Sequence, residues 1–106
     1  MPRYLFIATY TPQGSKAVLA SGGTARRAAI EKMCADAGGR VESFDFAFGT
    51  DDVYTIVDLP DARTAAAIAL TVNASAAVHV RTVVLMTPEE VDAAGQVQAH
   101  YQPPSG

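Results

Sequence analysis

His79 and Arg81 stand two residues apart in an apolar stretch, and in an extended strand that spacing puts both side chains on one face. A histidine beside a fixed cation suits an anionic ligand, or a proton shuttle working against a charge clamp. The same pair also suits an interface where both groups are hydrogen-bonded across a contact. Val83 and Leu85 continue that face, so it is expected to be partly covered. Asp52 is a second candidate, either as an acid/base group or ligand anchor, or as an aspartate bonding its own turn. Tyr4, Tyr10 and Tyr54 combine an aromatic body with a polar tip and suit a pocket wall or plain packing. Asp45 and Ser43 alternate away from the phenylalanines of their own strand. The catalytic candidates are therefore His79 as base, Arg81 stabilising a developing anion, and Tyr54 or Asp52 orienting a substrate. The expected ligand-binding set is Tyr4, Tyr10, Asp45, His79 and Arg81.

Other chemistry has less support. Asp51 and Asp52 are adjacent carboxylates without further oxygen ligands nearby, which is too little for a cation site. Cys34 is the single cysteine, so an intrachain disulfide and a cysteine-only metal site are excluded. It falls in an apolar helical stripe and reads as a small buried hydrophobe. Ser21-Gly22-Gly23-Thr24 could form an anion-binding nest but lacks the lysine and spacing of a phosphate loop; a break between two helical pieces explains it. No nucleophile elbow, zinc-binding helix motif or dinucleotide fingerprint is present. Neither a metal nor a cofactor is expected.

Charge and hydropathy limit the partners. Net charge is −3 and Arg26-Arg27 are the only adjacent basic residues, which argues against nucleic acid. Thr64–Val80 carries no charged residue, but it is rich in alanine and interrupted by Thr71, Asn73, Ser75 and His79, so no membrane span is expected. The N-terminus lacks the apolar core and cleavage site of a secretion signal, and the cytoplasm is the expected location.

These residues must be positioned by a small set of elements. Arg3–Tyr10 reads as a strand with Tyr4, Phe6, Ala8 and Tyr10 on one face and Leu5, Ile7 and Thr9 on the other. Thr11-Pro12 opens a short helix that Ser21-Gly22-Gly23 interrupts. Thr24 is expected to cap a longer helix, with Ile30, Met33, Cys34 and Ala37 inward, i,i+4 pairs Arg27–Glu31 and Lys32–Asp36 outward, and a glycine stop at Gly38-Gly39. Strands follow at Val41–Phe48 and Val53–Leu59, joined by Gly49-Thr50-Asp51-Asp52, where the glycine is expected to supply positive φ. In the first of them Phe44, Phe46 and Phe48 share a face, opposite Val41, Ser43, Asp45 and Ala47. Asp61 caps an alanine-rich helix that turns Ala65, Ile68, Ala69 and Val72 inward; Asn73–Val78 connects it to a strand at His79–Met86. Thr87-Pro88-Glu89-Glu90 is a capping box opening a helix to about Val97. Residues 1–98 read as one domain and 99–106 as a tail.

The order is β-α-β-β-α-β plus a C-terminal helix. This α+β pattern is ferredoxin-like: a four-stranded antiparallel sheet with helices on one face. Because both faces of Arg3–Tyr10 are apolar, the helix-free face should be covered, most economically by a second copy packed sheet to sheet. The expected partner is therefore the chain itself, as a homodimer or higher homo-oligomer with a small-molecule cavity between sheets.

Phe48-Gly49-Thr50-Asp51-Asp52 followed by Leu59-Pro60-Asp61 resembles the GYD-domain family of small bacterial proteins. Tyr10-Thr11-Pro12-Gln13-Gly14, Val80-Arg81-Thr82 and Thr87-Pro88-Glu89-Glu90 resemble it too, so the likeness spans most of residues 2–95. Gly49 and Asp52 match the residues that give the family its name, but Asp51 stands where tyrosine is expected; Tyr54 is the nearest substitute. The resemblance implies a dimeric α+β barrel and supplies no catalytic residue. Three functions follow as expectations. The first is a small-molecule-binding or accessory protein. The second is a cofactor-independent acid/base or monooxygenase-type enzyme. The third is a structural oligomer built through a further apolar patch on Asp61–Val72, with Ile68 at its centre.

Overall fold

The computed structural model describes residues 1–105; Gly106, the last residue of the expected tail, lies outside them. The elements are β1 (Arg3–Tyr10), α1 (Pro12–Ser21), α2 (Gly23–Asp36), β2 (Arg40–Phe46), β3 (Val53–Asp58), α3 (Ala62–Ala74), β4 (Val78–Leu85) and α4 (Pro88–Ala94). The sheet order is β2-β3-β1-β4 and every pairing is antiparallel, as a ferredoxin-like fold requires.

Alternation in β1 and β3 decides which side the core occupies. Tyr4 pairs with Val57 and Phe6 with Thr55, so these side chains share the helix-covered face. There Tyr4, Phe6, Val57 and Leu59 pack with Cys34 of α2, Ala65 and Ile68 of α3, and Val80 of β4. Ile30, Met33 and Ala37 flank this cluster, completing the α2 stripe that the sequence indicates.

The termini of the helices follow local chemistry. Asp61 accepts the Thr64 N–H at 2.8 Å, and Thr87 and Glu90 form the reciprocal capping box. α2 ends in a Schellman arrangement: Gly38 is left-handed (φ 88°), its N–H donates to the Ala35 carbonyl, and the Gly39 N–H donates to that of Cys34. Thr11 caps α1 and donates its hydroxyl to the Ala77 carbonyl at 3.1 Å, tying the start of α1 to the entry of β4. Gly14 permits that approach, since a Cβ there would sit 2.1 Å from the Ala77 oxygen.

Several expectations are corrected. The residue capping α2 is Gly22, not Thr24, because the chain reverses at Gly22 (φ 87°) and Thr24 already lies inside the first turn. Of the two expected pairs on α2, Lys32–Asp36 closes at 2.8 Å, whereas Arg27–Glu31 is not among the ion pairs of the described residues. α3 continues through Asn73, whose side-chain amide bonds the Val80 N–H and carbonyl on the free edge of β4. α4 ends at Ala94 rather than near Val97. Gly49 does not adopt positive φ; the turn is held instead by the Ala47 N–H on the Asp52 carbonyl at 2.8 Å.

The largest correction concerns β2. A bulge between Val41 and Ser43 shifts its register, so Val41 joins Phe44 and Phe46 on the helix side instead of opposing them. Phe48 lies beyond the strand, fully exposed, and leaves the expected phenylalanine row. Beside the bulge, the Thr55 hydroxyl donates to the Ser43 carbonyl at 2.7 Å. Replacing Thr55 by valine preserves shape and removes this donor, with an expected cost of about 1–2 kcal/mol. A urea midpoint indistinguishable from wild type would show that the carbonyl finds another partner.

Candidate functional site

The helix-free face of the sheet carries the chemistry. Cross-strand pairing places Asp45, Tyr54, Ile7 and Arg81 in one row across all four strands. The next row is Ser43, Ile56, Leu5 and Val83, and Leu85 pairs with Arg3 beyond it. Leu5, Ile56, Val83 and Leu85 thus form an apolar strip around Ile7 on the side of the sheet away from the helix-packed core; Val83 is the exposed member, the others are partly buried and Ile7 is already buried by its neighbours. Ion pairs Arg3–Glu42 (2.6 Å) and Arg40–Asp58 (2.9 Å) close one end.

The other end is built around Asp51. One carboxylate oxygen accepts from the Thr9 hydroxyl at 3.1 Å; the other accepts from the Tyr54 hydroxyl at 3.3 Å and an Arg81 guanidinium nitrogen at 3.2 Å. The Asp51 side chain is 12% exposed whereas that of Arg81 is 62% exposed, so the cation faces outward and the anion sits behind it. Burial pushes the Asp51 carboxyl up, but the hydrogen bonds from Thr9, Arg81 and Tyr54 and the charge of Arg81 outweigh it, and the net direction is down. Arg3 likewise holds the Glu42 carboxyl down, chiefly through its hydrogen bond.

A depressed carboxyl binds fewer protons when folded than when unfolded. It contributes stability that is present above the ordinary carboxylate range, near pH 4, and is lost as pH falls through the depressed value. The urea midpoint of the wild-type chain should therefore decline between about pH 5 and pH 2, and Asp51→Asn should make that decline shallower. Equal slopes would mean that Asp51 has the same proton affinity folded and unfolded.

The structure brings together Tyr54, Arg81, Asp45 and His79 on one face of the sheet. His79 is exposed and pairs with Thr9, one step from the Asp51 cluster. Tyr4 and Tyr10 go to the other side: Tyr4 is 3% exposed in the core, and Tyr10 alternates with it on the helix-covered face. They cannot line a site with His79 and Arg81, because residues of like parity on one strand face the same way. Asp52 anchors backbone, its carboxylate accepting the Tyr10 N–H at 2.8 Å while its own N–H donates to the Ala8 carbonyl. Sequence reasoning weighed Asp51 only as half of an adjacent carboxylate pair and missed it as the centre of a side-chain cluster. Its partners Thr9 and Arg81 lie 42 and 30 positions away, so neither the adjacent carboxylates nor the aspartate in place of the expected tyrosine pointed to them.

No helix of the described residues is long and apolar enough to cross a membrane. No group of three or more metal-binding side chains occurs among them. No curated protein and no solved structure gives a significant match to the chain. A family model described as the GYD domain matches residues 4–94 of the 106, covering all four strands apart from Arg3 at the start of β1, all four helices and the whole of the Asp51 cluster. With the ferredoxin-like order and the Gly49–Asp52 hairpin in place, the chain belongs to the GYD-domain family.

Proposed function

We propose that the chain is a homo-oligomeric, cytoplasmic small-molecule-binding or accessory protein, with a dimer as its smallest unit. Two open sheet faces pack together and enclose a cavity beside the Asp51–Arg81 pairs. The observation that supports this is the partly exposed strip Leu5, Ile56, Val83 and Leu85 on the sheet face away from the core. A contiguous apolar surface in that position calls for a cover. Polar groups clustered at one end of such a strip give a ligand orientation as well as contact area. Arg81 and His79, both exposed there, are the groups an anionic ligand would meet first.

Catalysis has less behind it. Arg81 and Tyr54 are both held on Asp51 and Asp52 is engaged by backbone, and among the described residues no group of the acid/base set hydrogen-bonds to His79. The structural-oligomer reading loses its stated patch: Ile68 is 8% exposed and belongs to the core, so a charge there would unfold the chain before it altered assembly.

Native mass spectrometry of gently purified protein tests the proposal. A dimer or larger multiple with a reproducible added mass is the expected result. A monomer at micromolar concentration would overturn it, since the cavity exists only between copies.

A further inference from the structure

On the opposite side of the sheet, the helix layer leaves two apolar spaces that meet at the same residues. One, of about 240 Å³, lies between α1 and α2 over the start of β4 and has Ala17, Ala25 and Ala29 among its walls. The other, of about 40 Å³, runs beneath α2 between Ile30 and Phe44. Tyr10, Arg26 and Val78 line both. Alanine is the reason for the room: three small side chains face a space that larger ones would fill.

Arg26 is the unusual member of this lining. It is partly buried, yet it belongs to none of the ion pairs and none of the side-chain hydrogen bonds of the described residues. A guanidinium at the open edge of an apolar cleft, paired with no carboxylate, has its donors free, and a bidentate oxyanion is the partner its geometry fits. The Tyr10 hydroxyl is unpaired in the same way. Among the described residues no fully buried side-chain nitrogen or oxygen lacks a partner, so these unpaired polar ends reach open space rather than packed interior.

We propose that this cleft within the single protomer binds a small carboxylate with an apolar body. The anion sits on Arg26 with the Tyr10 hydroxyl as second donor, and the apolar part lies among the alanines of α1 and α2. The volume is below that of a drug-sized pocket, roughly 300–1,000 Å³, and suits one ring or a short chain. This site lies across the sheet from the Asp51 cluster and needs no second copy.

Octanoate is the probe, with octanol as its neutral counterpart, read by backbone amide shifts in ¹H–¹⁵N spectra. Saturable shifts are expected at Gly14, Ala25, Ala29 and Val78, with octanol at least tenfold weaker. Arg26→Gln should weaken octanoate at least tenfold and leave octanol unchanged; Ala29→Phe should remove both by filling the cleft. Equal binding of the two probes, or an unaltered octanoate affinity in Arg26→Gln, would overturn the proposal. So would shifts confined to Leu5, Ile56 and Val83, which would assign the ligand to the open sheet face. Absence of saturable shifts anywhere would overturn it without touching the dimer.

Discussion

Glutamate in place of Val83 is expected to turn the proposed sheet-to-sheet dimer into monomers while leaving the protomer folded. Val83 lies on the edge strand β4, is 38% exposed, and faces away from the core opposite Leu5. In an isolated protomer the new carboxylate extends into water at small cost. In a symmetric dimer it appears twice, and both copies enter an apolar contact without a partner. An uncompensated buried charge costs about 3–5 kcal/mol, which weakens association by roughly 10²–10⁴-fold. Sedimentation velocity across a concentration series measures this directly. Leu70→Glu on α3 is the control: Leu70 is 72% exposed on the helix layer, so assembly should be unchanged. If the control dissociates the oligomer and Val83→Glu does not, the interface lies on the helices.

Leu59→Ala should give the largest loss of stability. Leu59 is fully buried immediately after β3, where its N–H donates to the Pro2 carbonyl at 3.1 Å and its side chain reaches Cys34, Ala65 and Ile68 in one cluster. One of its methyls also limits the room at Gly39, where a Cβ would stand 2.9 Å from it. Deleting those carbons removes transfer energy and leaves a cavity that strands on either side cannot close, for about 2–5 kcal/mol. In a domain of this length that lowers Tm by on the order of 10–20 °C. Cys34 supplies an independent readout. Its thiol is fully buried and burial pushes its pKa up, so it reacts only after opening. Labelling under fast-reclosing conditions should accelerate by about 30-fold or more in Leu59→Ala. A Tm within about 2 °C of wild type would mean that the cluster repacks.

The elements set by local chemistry were the legible ones. Asp61 before an alanine run, Thr87 three residues ahead of Glu90, and Gly38 after an apolar stripe each act within one turn of chain. Their outcome depends on backbone groups a few residues away, so they can be read in order along the sequence. The two-face alternation of β1 and β3 was legible for the same reason, because a strand repeats every two residues. β2 was not. Its bulge exists only relative to β3, and one inserted residue moved Val41 to the core side; the strand ends before Phe48 because pairing stops at Phe46 opposite Val53.

Element order, the Asp61 and Thr87 caps, the Gly38-Gly39 stop and the doubly apolar first strand all follow from the residues read in order, and those are enough for a ferredoxin-like fold with one face to cover. Tertiary structure alone decided which polar residues share a site. It set Tyr4 and Tyr10 against the helices and joined Thr9, Tyr54 and Arg81 on Asp51. It also left Arg26 unpaired beside a cleft. Caps and alternation are fixed by neighbours within a few residues, whereas a site is fixed by register between strands that are distant in the chain.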